Sequence, residues 1–441
     1  MTALAALLAP RAPGTVLMRG PSGDVISGER FALDAVPDGP VALCVQDPVV
    51  LVRALLALDG TVPEMLLLSH ALPADTVTTL AQDAGCAAIL TDRDDITYVL
   101  PRCTLVQAPD TSPPATQITR WVLTTSGTTG LPKRVPHTLA TLSRTVARKP
   151  QNPPPVWGLV YDPTRFAGLQ VVLQALIGGG TLLASTPASP LAAQVQTLAE
   201  GGCTHLSATP TLWRRLLMAP GFAALALRQI TLGGEITDQA VIDALRAAHP
   251  RARITHIYAS TEAGVGFPVT DGRAGFPRRF LDEPPGDVAL RIVDDILWLR
   301  PPADRHRNLA GSPVELDDEG FIRSGDRVSV QDDRVVFLGR DNGTINVGGV
   351  KVQPEQVETC IMATPGVALV RIGARKSSIA GALVVADIVP SPGVDPAALK
   401  VQVLAACRAQ LDREAVPAII RFVDALDINA AGKLVRSDEH R

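Results

Sequence analysis

Residues 124–133 read Thr-Thr-Ser-Gly-Thr-Thr-Gly-Leu-Pro-Lys. From Thr124 to Gly130, five hydroxyl residues and two glycines fill seven consecutive positions. Glycine lets a backbone approach a ligand closely and turn at positive φ. Hydroxyls and free N–H groups donate to phosphate oxygens, and Lys133 adds a point charge. The run before it, ITRWVLT, is strand-like, and the run after it, TLATLSRTVAR, is helical in pattern. The loop is therefore expected at the carboxyl end of a strand, where α/β sheets hold their ligands. It is not a Walker loop, because GxxxxGK[ST] is absent. On composition alone a Ser/Thr/Gly surface linker would also fit.

The flanking sequence supports an α/β fold. PVALCVQ, EMLLLS and CAAILTD read as strands, separated by the helical runs VVLVRALLALDG and TVTTLAQDAG. Such alternation argues for a mostly parallel sheet. It recurs at 167–185 and 195–232. From about 286 to 340 the texture changes to short alternating strands with acidic turns (DVALRIVDD, ILWLRPP, FIRSGD, RVSVQDDRVVFLG), expected as an antiparallel β subdomain. DNGTINVGG is rich in turn formers, and the last hundred residues read as a small α+β unit. The fold class is thus α/β: a large domain over residues 1–340, of parallel α/β subdomains plus a small β subdomain, then a small α+β domain over 341–441. The hinge is placed at Asp341-Asn342.

Composition closes off other classes. The 441 residues are 46% hydrophobic and 19% charged, enough apolar material for a sizeable core. Net charge is −3 with no basic cluster, so no nucleic-acid partner is expected. No apolar run approaches the roughly 20 residues of a membrane helix. The apolar start MTALAALLAP has its first Arg behind it, the wrong order for a secretory signal, so a cytoplasmic protein is expected. The six cysteines are scattered, with no CxxC pair or zinc spacing, and read as buried thiols.

The decapeptide resembles the signature of the adenylate-forming superfamily, which holds acyl- and aryl-CoA synthetases, peptide-synthetase adenylation domains and luciferases. Further motifs follow in that family's order: Gly233-Gly234-Glu235, Tyr258-Ala-Ser-Thr-Glu262, Ser324-Gly-Asp326, Gly339-Arg340 with Ile345-Asn-Val-Gly-Gly, and Gly432-Lys433 with Arg436. The resemblance implies a two-step reaction: a carboxylate attacks the α-phosphate of ATP, then a thiol attacks the acyl-adenylate. It implies that Thr125, Ser126, Gly127, Thr128, Thr129, Gly130 and Lys133 cradle the β,γ-phosphates. Gly233, Gly234 and Glu235 would border the adenine site, and Tyr258 would pack on adenine. Asp326 would accept the ribose hydroxyls, with Arg340 nearby. Thr261 would contact the α-phosphate, Glu262 would hold Mg²⁺, and Lys433 would bridge carboxylate and α-phosphate. His137 is read as structural.

Departures are visible too. Arg134 stands where the family usually has Gly, Ala259 replaces a Gly, Asn342 holds the hinge position and Asp427 replaces a Pro. With about 120 residues ahead of the phosphate loop, the first subdomain looks abridged. For the acid, Arg165, Phe166 and Gly168, with Gly264 and Gly266, are expected to line the pocket. Phe-Ala-Gly-Leu at 166–169 is closer to acyl- and aryl-CoA synthetases than to amino-acid-activating domains. Gly348 and Gly349 would let a pantetheine arm pass. The leading expectation is an acid–thiol ligase taking a small aryl or acyl acid, with ATP, Mg²⁺ and CoA. The alternatives are an enzyme that loads the phosphopantetheine of an acyl carrier protein, and a non-catalytic nucleotide-binding relative.

Overall fold

Val41–Cys44 is buried at every position, as a continuous apolar run must be when both faces of a sheet are covered. It pairs in parallel with Glu64–Leu67 and Ala88–Thr91, and Glu64–Leu67 pairs with Arg120–Thr125. The helices Pro48–Leu58 and Ala74–Asp83 make the crossovers. Asp47 caps the first of these by accepting from the Val49 N–H, with Pro48 at the first helical position, where its missing N–H costs nothing. The computed structural model describes residues 3–9, 11, 14–27, 29–96, 100–108, 117–125, 131–185, 189–302, 314, 316–377, 381–429 and 432–435.

The residues after the hydroxyl-rich loop do not fold as the sequence pattern suggests. Lys133–His137 is an edge strand antiparallel to Arg120–Thr125, with Thr125 directly opposite Lys133. Pro136 lies in this strand, and an edge is where a residue without an N–H is tolerated. Only Leu139–Leu142 is helical, capped by Thr138. Thr125 and Lys133, on either side of the loop, therefore lie side by side. Ser126, Gly127, Thr128, Thr129, Gly130 and Arg436 lie outside the described residues.

A second sheet of eight strands runs Gly264–Val269, Arg253–Ser260, Gln229–Gly233, His205–Ala208, Val156–Leu159, Thr181–Ala184, Met18–Arg19, Val25–Ile26. All neighbouring pairs are parallel except those with the two edge strands. Leu206, Ala208, Ile230, Leu232 and Ile254 point into an apolar core with Trp213 and Phe222. The Arg11 guanidinium donates to the carbonyls of Ala175, Leu176 and Gly180, satisfying the end of the helix Phe166–Ile177.

The antiparallel region is a five-stranded sheet. The segments FIRSGD and RVSVQ, which look like two strands in sequence, form one strand, Ile322–Gln331, carrying Ser324, Gly325 and Asp326 in its middle. Beyond the 3-10 turn Asp341–Gly343, the turn-rich segment is an ordered hairpin, Ile345–Val347 against Val350–Val352. Its two-residue turn is Gly348-Gly349, both at positive φ (60° and 94°), as a tight hairpin turn of this hand needs. A three-stranded sheet with the helices Pro354–Met362 and Pro396–Gln410 completes the carboxy-terminal part. The fold is thus mixed α/β, with a large amino-terminal part and a smaller α+β part after it. No helix among the described residues is long and apolar enough to cross a membrane. All six cysteines are buried and free.

The buried Asp59 carboxylate ties the amino-terminal helix Leu4–Leu8 to the first sheet, accepting from the Leu4 N–H at 2.7 Å and Trp121 Nε1 at 2.8 Å. Asp59→Ala orphans two donors in the core, so chemical denaturation should register a loss of roughly 1–3 kcal/mol for each. Equal stability of variant and parent would show that these bonds contribute nothing.

Candidate active site

A cavity of about 1540 Å³ opens at the carboxyl ends of the central strands Gln229–Gly233 and Arg253–Ser260, and the last described loop of the chain reaches into it. Thr261, Glu262 and Ala263 connect the antiparallel strands Arg253–Ser260 and Gly264–Val269, whose last paired residues are Ser260 and Gly264. His137 Nε2 lies 2.9 Å from the Thr261 carbonyl oxygen, and the ring is 1% exposed. The structural reading of His137 thus gains content: it holds the turn that presents Thr261 and Glu262. Thr125 and Lys133 line the same cavity from the first sheet.

Asp326 sits opposite Arg340 in the strand register. Its Oδ1 is 2.9 Å from Arg340 Nε, and its Oδ2 accepts from the Tyr258 hydroxyl at 2.5 Å. Arg340 Nη1 also donates to the Ser324 carbonyl, and the Ser324 hydroxyl accepts from the Asp326 N–H. Burial pushes the Asp326 carboxyl above its ordinary range, while Arg340, the Tyr258 hydroxyl and Lys433 pull it back. The Tyr258 ring lies parallel to those of Phe267 and Phe337, each centroid 5.3 Å away. The tyrosine assigned to adenine is therefore already one layer of an aromatic stack.

Lys433 arrives on a tight loop: Asn429 N–H donates to its carbonyl, and its own N–H donates to Asn429 Oδ1. The loop is fastened to the large part of the molecule by Thr209, whose hydroxyl donates to the Gly432 carbonyl at 2.5 Å. The same hydroxyl accepts from Leu212 N–H, capping the helix Pro210–Met218. Glu235 accepts from the Thr211 N–H at that helix start. Gly234, at φ +82°, leaves space for the lysine: a Cβ there would stand 3.3 Å from Lys433 Cε. Burial lowers the Lys433 pKa below the usual lysine value. The fields of Glu235, Asp326 and Glu262 oppose that shift, and Arg340 adds to it. One ammonium thus shares a water-poor cleft with three carboxylates.

Other expected residues are placed differently. Arg165 and Phe166 line the cavity. The Arg165 Nη1 donates to the Thr124 carbonyl at 2.8 Å, and burial lowers its pKa. The side chain is held against the carboxyl end of the strand Arg120–Thr125 and does not stretch out to the surface. Gly168 is not a lining residue. A Cβ there would lie 2.2 Å from the Asp162 carbonyl, so glycine serves the close packing of the helix start. Gly264 and Gly266 frame Val265, which lines the cavity, and Gly266 itself backs onto the Tyr258 carbonyl. Gly348 and Gly349 form an exposed hairpin tip outside the cavity lining. Thr209 was not singled out in the sequence. Its Thr-Pro signal announces a helix cap, but nothing local announces a contact 223 residues away.

Among the described residues, no group of three or more His, Cys, Asp or Glu is arranged to hold a metal ion.

The sequence matches the family model for AMP-binding enzymes over residues 32–296. The chain belongs to the AMP-binding enzyme family. Residues 356–433 match the model for the AMP-binding enzyme C-terminal domain. The 2-succinylbenzoate–CoA ligase of Salmonella typhimurium is 32% identical over 255 residues, covering 55% of this chain and 51% of that protein. The p-hydroxybenzoic acid–AMP ligase of Mycobacterium tuberculosis is 29% identical over 335 residues, 71% of this chain and 47% of that one. The chain spans about half the length of these curated relatives. Among solved structures, the amide bond synthetase McbA from Marinactinospora thermotolerans superposes with a TM-score of 0.75 at 18% identity, over 98% of this chain and 97% of that one. The o-succinylbenzoate CoA synthetase from Bacillus subtilis, with its acyl-adenylate, superposes at 0.71 and 18% identity, over 100% and 98%. These structural likenesses concern the fold.

Thr209→Val keeps the volume and removes the donor to Gly432. The expected result is a loss of about 1 kcal/mol, roughly fivefold, in catalytic turnover. Thr209→Ser should retain the parental rate. If Thr209→Val loses only stability, as any lost helix cap does, the fastening of the lysine loop has no kinetic role.

Proposed function

We propose that this AMP-binding enzyme activates an aryl or acyl carboxylic acid with ATP and passes it to the thiol of CoA. In the first half, a carboxylate oxygen of the acid attacks the α-phosphorus, the bond to the bridging oxygen breaks, and pyrophosphate leaves. In the second, the thiol attacks the acyl carbon, AMP leaves as a phosphate monoester, and the thiol proton goes to solvent. The attacking carboxylate is ionised near pH 7, so the first half needs no general base. Charge accumulates on phosphate oxygens, and the site's task is positioning and electrostatic stabilisation. The observation that carries this reading is Lys433, an ammonium held in the cleft beside Glu235, Glu262 and Asp326.

In this reading Lys433 spans the carboxylate and the α-phosphate, and Thr261 donates to the α-phosphate from the turn that His137 holds. The pair Asp326–Arg340 meets the ribose, with Tyr258 orienting Asp326. Thr125, Lys133 and the loop between them take the β,γ-phosphates. Glu262 is the protein ligand for Mg²⁺. With no all-protein cage among the described residues, a carboxylate here suits a hard cation that takes its remaining ligands from phosphate and water. Bound there, Mg²⁺ neutralises phosphate charge. The CoA ligases among the relatives favour CoA over a carrier protein as acceptor.

The boundary at Asp341-Asn342 belongs to the same reading. Asp341 is held to the large part by Arg323 at 2.6 Å and Arg327 at 3.5 Å, whereas Asn342 is exposed. A swing about Asn342 would withdraw Lys433 and bring the Gly348-Gly349 turn to the cleft for the thiol step.

Lys433→Ala should lower adenylation, read as ATP–pyrophosphate exchange, by roughly 10²–10³. It should leave thioester formation from supplied acyl-adenylate within about twofold, since that step uses the other lid position. Undiminished exchange would remove Lys433 from the reaction. Because burial lowers the Lys433 pKa, its ammonium is lost as pH rises through a value below the ordinary 10.5. Single-turnover adenylation should therefore fall on the alkaline side below that pH, and the fall should be absent from the residual rate of Lys433→Ala. The same alkaline fall in both would assign it to another group.

A further inference from the structure

The central strands carry a polar face where a covered parallel sheet is normally apolar on both sides. Two rows of side chains cross it in register. Trp157, His205, Gln229 and Arg253 form the far row at the amino ends of four adjacent strands, and Ser207, Thr231 and Thr255 form the next. All seven line the same cavity that holds Lys433 at its other end. From Gly233 to Gln229 is four residues, roughly 13 Å at about 3.3 Å per residue. The facing wall is one stripe of the helix Phe166–Ile177, spaced four apart: Phe166, Gln170 and Gln174, with Gly178 just past its end. The cavity exceeds the roughly 300–1,000 Å³ usual for one small ligand.

The far end is polar and holds no acid among the described lining residues; those carboxylates, from Asp162 to Glu358, belong to the nucleotide end and the lid. Gln229 Nε2 donates to the Ile230 carbonyl and the hydroxyls of Thr231 and Thr255, and its amide oxygen receives no hydrogen bond among the described residues. His205, its ring tilted against Trp157 with centroids 4.9 Å apart, is held neutral near pH 7 by burial and by Arg228, which lower its pKa to about 4. Arg228 and Arg253 line this far end.

Resting on the adenylation reading above, we propose that the acid is an extended one bearing hydrogen-bonding groups, amide, hydroxyl or keto, along its body, neutral or anionic at its distal end. It lies along the Ser207–Thr231–Thr255 row with that end against His205 and Gln229. An alkyl chain of the same length offers nothing to the Gln229 amide oxygen or to the hydroxyls beside it. A lone benzoate leaves the far row untouched. A distal amine meets Arg228 and Arg253.

The test is ATP–pyrophosphate exchange with N-acetylglycyl-β-alanine, nonanoate, benzoate and a terminal-amino acid of matching length, in the full chain and in Gln229→Leu/Thr231→Val. The amide acid should exceed nonanoate by roughly tenfold or more in kcat/KM. The double variant should collapse that ratio through KM, by weakening the amide acid and improving nonanoate. Thr231→Val alone, which preserves shape, should move the ratio in the same direction if the larger change disturbs folding. Preference for nonanoate, benzoate or the amine in the parent, or a ratio untouched by the variants, overturns the acid class and leaves adenylation standing. Absence of exchange with every acid in a chain that still binds ATP overturns both.

Discussion

A cationic lysine head placed where water is scarce is costly on its own, and this molecule is built around making that placement tolerable. The ammonium of Lys433 is stabilised by the fields of Glu235, Asp326 and Glu262, supplied by a sheet-end turn, an antiparallel strand and a hairpin turn. Remove the lysine and three carboxylates crowd one cleft; remove them and the lysine has no reason to stay charged. Each of these groups is held at fixed geometry by something else. Glu235 is bound at the start of the Pro210–Met218 helix, Asp326 is clamped between Arg340 and Tyr258, and the Glu262 turn is pinned through His137. Backbone room matters as much as charge, because Gly234 is the position past which the lysine stem must run.

The same arrangement ties the small carboxy-terminal part to the chemistry. The Lys433 loop is anchored from its own side by Arg371, which donates to the Val435 carbonyl at 3.2 Å. Arg371 is itself held by the buried Asp387, which also binds Arg421. From the other side Thr209 donates to the Gly432 carbonyl, and the Lys433 ammonium lies in the fields of Glu235, Asp326 and Glu262. The buried Asp387 with its two arginines fixes the loop to its own part, and the contacts on the other side set where the lysine head rests.

Much of this was legible in the sequence because glycine, hydroxyl and charged residues stood at fixed spacings. The motifs around Gly234, Thr261, Asp326 and Lys433 converge on one cavity although up to 199 residues separate them. What escaped were contacts with no local signature. Thr209 announces a helix cap, and only the fold reveals Gly432 above it. Gly168, Gly264 and Gly266 pass in sequence for pocket-lining residues, since a missing side chain looks the same whether the space goes to substrate or to backbone. At Gly168 the space goes to the Asp162 carbonyl. The run TLATLSRTVAR at 138–148 has a helical pattern, yet only Leu139–Leu142 is a helix, and Lys133–His137 ahead of it took the open edge of a sheet without any local strand signal. Strand pairing there is decided by an available partner, a non-local fact.

The polar face of the second sheet was also written in the sequence, as the alternations His205-Leu-Ser-Ala208, Gln229-Ile-Thr-Leu232 and Arg253-Ile-Thr255. Read singly, each is an ordinary half-buried strand. Read together, they conflict with the fold, because a parallel sheet flanked by helices should bury apolar residues on both sides. Leu206, Ile230 and Ile254 obey that rule on one face, so the departure on the other is not a weakness of the core. A wall of hydroxyl and amide groups costs stability unless something polar covers it. Water can do so when the cavity is empty of substrate, and then its displacement sets the terms for any acid that enters. An alkyl chain would have to expel that water and return nothing to Ser207, Thr231 or Gln229, while a chain of amides or hydroxyls replaces it bond for bond. Selectivity in this channel is thus governed by what the wall loses, and its polar rows discriminate more sharply against the wrong acid than they attract the right one.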